Sequence, residues 1–165
     1  MTVIAARIKD NEVVMSCDSQ VSVGWHHKKT GYMDKIINGP DFIIGVSGSA
    51  MLMPLLSMYS KNHQIGDGGE ERITEWCFEF LEYCKKKTDA WSQPGALILG
   101  CASGMFLIED WIPLRITDFC AVGSGYQHAE AAMYLGMDTE KAVDVAINMA
   151  FGCGGAIKTS SIELK

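Results

Sequence analysis

No apolar run in this 165-residue chain approaches the ~20 residues that a helix needs to cross a bilayer. The first residues also lack the basic stretch and apolar core of a secretory leader. These absences predict a cytoplasmic protein without a membrane partner. Positive charge is in deficit: 14 Lys and Arg face 20 Asp and Glu, a net charge of −6. That balance argues against nucleic acid as a partner. Six cysteines are present, at 17, 77, 84, 101, 120 and 153, but none forms a CxxC pair and most sit in apolar stretches. Reduced, buried thiols are expected, with neither a disulfide framework nor a zinc site. A nucleotide loop is missing too. Gly66-Asp67-Gly68-Gly69 lacks the GK[ST] ending and a preceding strand, so no cofactor is expected.

What is present is ordinary for a globular chain: 48% hydrophobic residues and 21% charged. One domain over 1–165 is expected at this length. Val3 to Ile8 and Glu12 to Cys17 read as strands joined at Asp10-Asn11, a hairpin. A polar segment, Ser19 to Thr30, holds His26, His27, Lys28 and Lys29 and reads as a solvated loop, since neighbouring strand residues point to opposite faces. Met33–Ile37 and Phe42–Ser47 form a second pair around Asn38-Gly39-Pro40, and a helix follows to about Tyr59 with Pro54 in its first turn. After the glycine-rich loop Gln64–Gly69, the strongest helical period appears. Ile73, Trp76, Cys77, Phe80, Leu81 and Cys84 share one face. Glu70 and Glu71 open that helix and Lys85 to Lys87 close it, as the helix dipole favours.

Ala96–Leu99 and Met105–Ile108 read as another hairpin, and Phe119–Val122 as a short strand. A helix covers Tyr126 to Tyr134. The last helix is capped at Asp138 or Thr139 and turns Ala142, Val143, Ala146, Met149 and Ala150 inward. Gly152, Gly154 and Gly155 stop it, and Ala156–Glu163 is a final strand. The order is strands, two helices, strands, two helices, strand. It predicts an α+β fold, a four-layer αββα sandwich, although a plainer α+β arrangement has the same order.

Thr2 is the first chemical candidate. A Thr at a free N-terminus carries a hydroxyl nucleophile and, in its own α-amine, a base. An unperturbed α-amine titrates near about 7.7–8.0, so a useful fraction is neutral near pH 7. Removal of Met1 exposes that amine; with Met1 retained it is blocked. If the first two strands pair, Asp18 at the end of the second returns beside Thr2. Lys35, on the adjacent strand, reaches both. Singly, each has a plain structural reading: Asp18 a turn acid, Lys35 a strand-edge charge, Gly48 and Ser124 the starts of helices.

Together, the Thr2 start, Asp18 within CDSQVS, Lys35 in DKI, GVSGSA at 45–50 and AVGSG at 121–125 resemble the N-terminal-nucleophile hydrolases, specifically the proteasome β-type and HslV-type threonine peptidases. Thr directly after Met looks more like the HslV type. The resemblance implies a threonine peptidase acting on peptides or unfolded proteins. It implies a homo-oligomeric ring that encloses the sites, fed by a separate ATP-driven unfoldase. It also implies roles: Thr2 as nucleophile and base, Lys35 as the cation beside them, Asp18 as its partner. The Gly48 N–H becomes the oxyanion donor, Ser124 a hydrogen-bonding neighbour of the amine, and Val46 a wall of the pocket for the residue before the cut. No metal is assigned.

The chain departs from that pattern in three places. Phe151 to Ala156 holds no acid where the proteasome type carries an Asp and a Ser, one residue is inserted between Asp18 and Lys35, and Cys17 stands where Gly is usual. Two other readings stay open. One is an amidase of the same fold acting on a small substrate. The other is an assembly protein that keeps the sandwich without catalysis.

Overall fold

Two runs of alternating and continuous apolar residues near the N-terminus set the centre of the molecule. The computed structural model describes residues 1–21, 32–66, 69–88 and 95–165. Strand β1 (Ile4–Lys9) turns at Asp10-Asn11 into β2 (Glu12–Asp18), with Lys9 opposite Glu12. Both turn residues have positive φ, 49° and 63°, the geometry that lets a two-residue loop follow the right-handed strand twist. Strands β3 (Ile36–Asn38) and β4 (Phe42–Val46) pair next, and helix α1 (Leu52–Ser60) follows. Helix α2 (Gly69–Lys87) buries Ile73, Trp76, Cys77, Phe80 and Cys84, the predicted face, with Leu81 half-buried at its margin.

The second half begins with β5 (Leu97–Cys101), β6 (Gly104–Glu109) and β7 (Ile112–Ile116). Then come β8 (Phe119–Val122), α3 (Tyr126–Tyr134), α4 (Thr139–Met149) and β9 (Ile157–Glu163). One antiparallel sheet has the order β8-β1-β2-β9 and the other β3-β4-β5-β6-β7. Ile4, Ala6, Met15 and Cys17 of the first meet Ile43, Ile98 and Met105 of the second in a buried layer. Trp76, Phe80, Leu56 and Tyr59 pack α1 and α2 onto the outer face of the five-stranded sheet. Ala129, Met133, Ala142, Val143 and Ala146 pack α3 and α4 onto the four-stranded one, against Val3 and Ala5. The architecture is the αββα sandwich. Among the described residues, no helix is long and apolar enough to cross a membrane.

Three expectations are corrected. Strand β7 was not anticipated; it pairs with β6 as an edge strand through the turn Asp110-Trp111. On α4, the inward face is Thr139, Ala142, Val143 and Ala146, and the C-cap Ala150 packs partly buried against the same cluster, while Met149 is 67% exposed. Strand β3 begins at Ile36, so Met33 to Lys35 lead into it, although the Lys35 carbonyl still accepts from Val46 N at 2.9 Å. His26 to Lys29 lie outside the described residues.

Candidate active site

The β1–β2 register places Cys17 opposite Ile4, which carries Asp18 back beside the first residues of the chain. Asp18 N donates to the Val3 carbonyl at 3.1 Å. The Asp18 side chain is fully buried and accepts three hydrogen bonds. Lys35 Nζ donates to Oδ1 at 2.6 Å, Val3 N to Oδ1 at 2.9 Å, and Gly154 N to Oδ2 at 3.0 Å. Lys35, 4% exposed, also donates to the Met1 carbonyl at 3.3 Å. The ion pair therefore grips both peptide groups that flank Thr2, the carbonyl before it and the N–H after it. A buried pair of this kind keeps its charges because each is hydrogen-bonded.

The other side of Thr2 is held by the segment joining β8 to α3. Thr2 N donates to Ser124 Oγ at 3.3 Å, and the Thr2 carbonyl accepts from Gly125 N at 3.2 Å and from Ser124 Oγ at 3.3 Å. Gly123 has φ 92°, and a Cβ there would contact the Thr2 carbonyl, with Thr2 C only 2.8 Å away. Only glycine suits both the backbone conformation and the close approach.

Thr2 opens onto a cleft of about 60 Å³ that it shares with Met1, Lys35, Val46, Gly48 and Met53. Val46, 4% exposed, ends β4, and Gly48, at φ 120°, lies in the β4–α1 connection. The cleft thus brings Thr2, Lys35, Val46 and Gly48 together, with Asp18 buried behind Lys35 and Ser124 on the opposite flank of Thr2. A larger depression of about 790 Å³ lies over α1 and α2, where Tyr59, Glu79 and Arg72 are engaged with one another.

Gly154 is a residue the sequence reading missed. The turn at 152–155 has no acid, yet its backbone reaches the site. Besides Gly154 N on Asp18, the Gly154 carbonyl accepts from Gln20 N at 2.9 Å and Ala156 N donates to Ser19 Oγ at 2.8 Å. The clustering of glycines was the available signal. Peptide N–H groups, not a second carboxylate, support Asp18 from this side.

Two thiols lie near Thr2. Cys17 belongs to the inter-sheet layer, and burial pushes its thiol up to about 11. Cys153 Sγ lies 3.7 Å from Ser124 Oγ; burial raises its thiol as well, and the Ser124 hydrogen bond opposes that rise. Both are therefore held as neutral thiols near pH 7, which are poor nucleophiles. Among the described residues, no group of three or more His, Cys, Asp or Glu side chains is placed to hold a metal ion.

No protein-family profile and no curated protein matches the chain. Solved structures do match over nearly its whole length. BPH from Thiobacillus denitrificans, in complex with epoxomicin, superposes with a TM-score of 0.84 at 20% identity, covering 99% of this chain and 100% of that one. HslV from Trypanosoma brucei gives 0.77 at 21% identity, over 98% and 99% of the two chains. Anbu from Yersinia bercovieri gives 0.72 at 12% identity, over 98% of this chain and 82% of that one. The fold of this chain is that of the proteasome-type N-terminal-nucleophile hydrolases.

Proposed function

We propose that this chain, a single domain over 1–165, is a threonine peptidase that cleaves peptide bonds through Thr2 once Met1 has been removed. The observation that carries the reading is the buried Asp18–Lys35 pair, 2.6 Å apart, bound to the peptide groups on both sides of Thr2. The pair thus brackets one half-buried, hydroxyl-bearing residue that opens onto the cleft.

In this reading the Thr2 hydroxyl adds to the substrate carbonyl carbon and passes its proton to the Thr2 α-amine. The Lys35 charge, fixed by Asp18, favours the neutral amine and the forming alkoxide. The Gly48 N–H receives the carbonyl oxygen as it becomes negative, a contribution of about 3–4 kcal/mol for one such donor. The amine then returns its proton to the leaving nitrogen as the C–N bond breaks. Water, activated by the same amine, adds to the ester, releases the acid and restores the hydroxyl. Ser124 orients the amine through the hydrogen bond it now makes with Thr2 N. Val46 and Met53 favour a medium-sized apolar residue before the cut.

The substrate is a peptide or unfolded protein, and the active species is a cytoplasmic ring of identical subunits, fed by a separate ATP-driven unfoldase. Support comes from the likeness in fold to the HslV structure, and the −6 charge gives no footing for nucleic acid. The test is Thr2→Ala in the Met1-free protein with fluorogenic peptides and sedimentation. Cleavage should vanish while assembly persists; unchanged cleavage removes Thr2 from the mechanism. A second reading, a non-catalytic assembly protein, is favoured by the lack of an acidic residue in the stretch Phe151 to Ala156. Intact mass of the native protein separates the two, because a retained Met1 leaves Thr2 without its amine.

A further inference from the structure

Met1 counts among the exposed large hydrophobic residues, yet much of its surface is covered. It is 36% exposed, lines the cleft beside Thr2, and lays its side chain on the backbone of Gly152. A Cβ at Gly152 would contact Met1 Cε, with Met1 Sδ at 2.5 Å and Met1 Cβ at 3.0 Å. Gly152 also has φ 87°, so glycine is favoured there both by the backbone and by the close approach. The Met1 carbonyl is held separately, by Lys35 Nζ. The protein thus has a formed place for one unbranched apolar side chain immediately next to the nitrogen of Thr2.

That nitrogen is the group that must protonate the leaving amine when the substrate C–N bond breaks. The leaving nitrogen therefore has to lie within hydrogen-bond reach, about 2.6–3.2 Å, of the Thr2 amine. The side chain attached one carbon beyond the leaving nitrogen then falls in the volume that the side chain preceding Thr2 occupies before excision. We infer that Gly152 is the floor of a subsite for the residue directly after the cleaved bond, and that removal of Met1 opens it to a flexible, medium-sized apolar side chain such as Met or Leu. The inference rests on the peptidase reading for its use in catalysis. Its geometry, a slot walled by Gly152 and open only in the Met1-free chain, is independent of turnover.

The experiment uses the full chain in two forms, Met1-retaining and Met1-free, the latter made with a methionine aminopeptidase. L-methioninamide and glycinamide are the probes, standing for leaving groups with and without a side chain. Binding is read by NMR titration, and the partition of an acyl-enzyme between water and each amine is read with a fluorogenic acyl donor. The Met1-free chain should bind methioninamide at least tenfold more tightly than glycinamide. It should also transfer the acyl group to methioninamide with a similar preference. The Met1-retaining chain should bind methioninamide at least tenfold more weakly than the Met1-free chain. Gly152→Ala should erase the methioninamide preference; because the readout is a ratio between two amines, a loss of folded protein does not mimic it. Equal binding of the two amines by the Met1-free chain, or undiminished methioninamide binding when Met1 is present, overturns the subsite. Selective binding without acyl transfer or hydrolysis refutes the peptidase reading and leaves the slot standing.

Discussion

Removing Asp18 and removing Lys35 should not be equivalent, and the difference follows from the hydrogen bonds around each. Asp18→Ala strips the partner from an ammonium that is 95% buried and leaves it, among the described residues, only the Met1 carbonyl at 3.3 Å. An uncompensated buried charge costs about 3–5 kcal/mol. The same change orphans the Val3 and Gly154 N–H groups, each worth about 1–3 kcal/mol when unsatisfied. Water entering the space recovers part of this, so a loss of about 5 kcal/mol is expected. Lys35→Met leaves a carboxylate that still accepts two backbone N–H bonds, and a loss of about 3 kcal/mol is expected. The double variant carries no buried charge. It should therefore be more stable than Asp18→Ala alone, by at least about 1 kcal/mol, despite the added substitution. Urea unfolding of the four Met1-retaining proteins, followed by circular dichroism, gives the cycle. If the double variant is less stable than Asp18→Ala, or the two losses add within about 0.5 kcal/mol, the pair is not energetically coupled and the account of the site's foundation is wrong.

Two other outcomes test the surrounding structure. All six cysteines are free and buried, and burial holds Cys17 near about 11 and Cys77, Cys84 and Cys120 near about 12. A raised folded-state value means stability that is complete below the unfolded value near 9 and lost as pH climbs toward 11–12. Unfolding free energy should thus fall steeply above pH 9, and a thiol reagent at pH 8 should label the chain only after denaturation; rapid labelling of the native chain refutes the burial. Asp138→Ala removes the hydrogen bond to Lys141 N at 2.8 Å that caps α4, and should cost about 1 kcal/mol by thermal unfolding, with no cost if the cap is spurious.

Much of the sandwich was legible because its strongest signals are local. The α2 face repeats every three to four residues, and Asp10-Asn11 marks a hairpin by residue type. Strand β7 was hidden because its turn, Asp110-Trp111, takes positive φ values of 49° and 67° without a glycine or asparagine to announce it. Pro113 within the strand also reads as a breaker, although at a sheet edge it is tolerated. On α4 the departure is Met149 alone, because period does not say which residue at a helix end still faces the core. In the site, side chains with charge or a hydroxyl stood out in the sequence, whereas Gly154 acts through its peptide N–H, which every residue but proline possesses. Its role depends on a fold-back of 136 positions to Asp18, and no local pattern encodes that distance.

The strand that Thr2 leads into lies inside its sheet, flanked by β2 on one side and by β8 on the other. The ribosome makes its first residues earliest, yet Ser124 and Gly154, which complete their surroundings, emerge more than a hundred codons later. A half-finished polypeptide therefore has a threonine but no furnished pocket around it. In the proposed peptidase, synthesis order alone keeps the site from existing until nearly all of the chain is in hand.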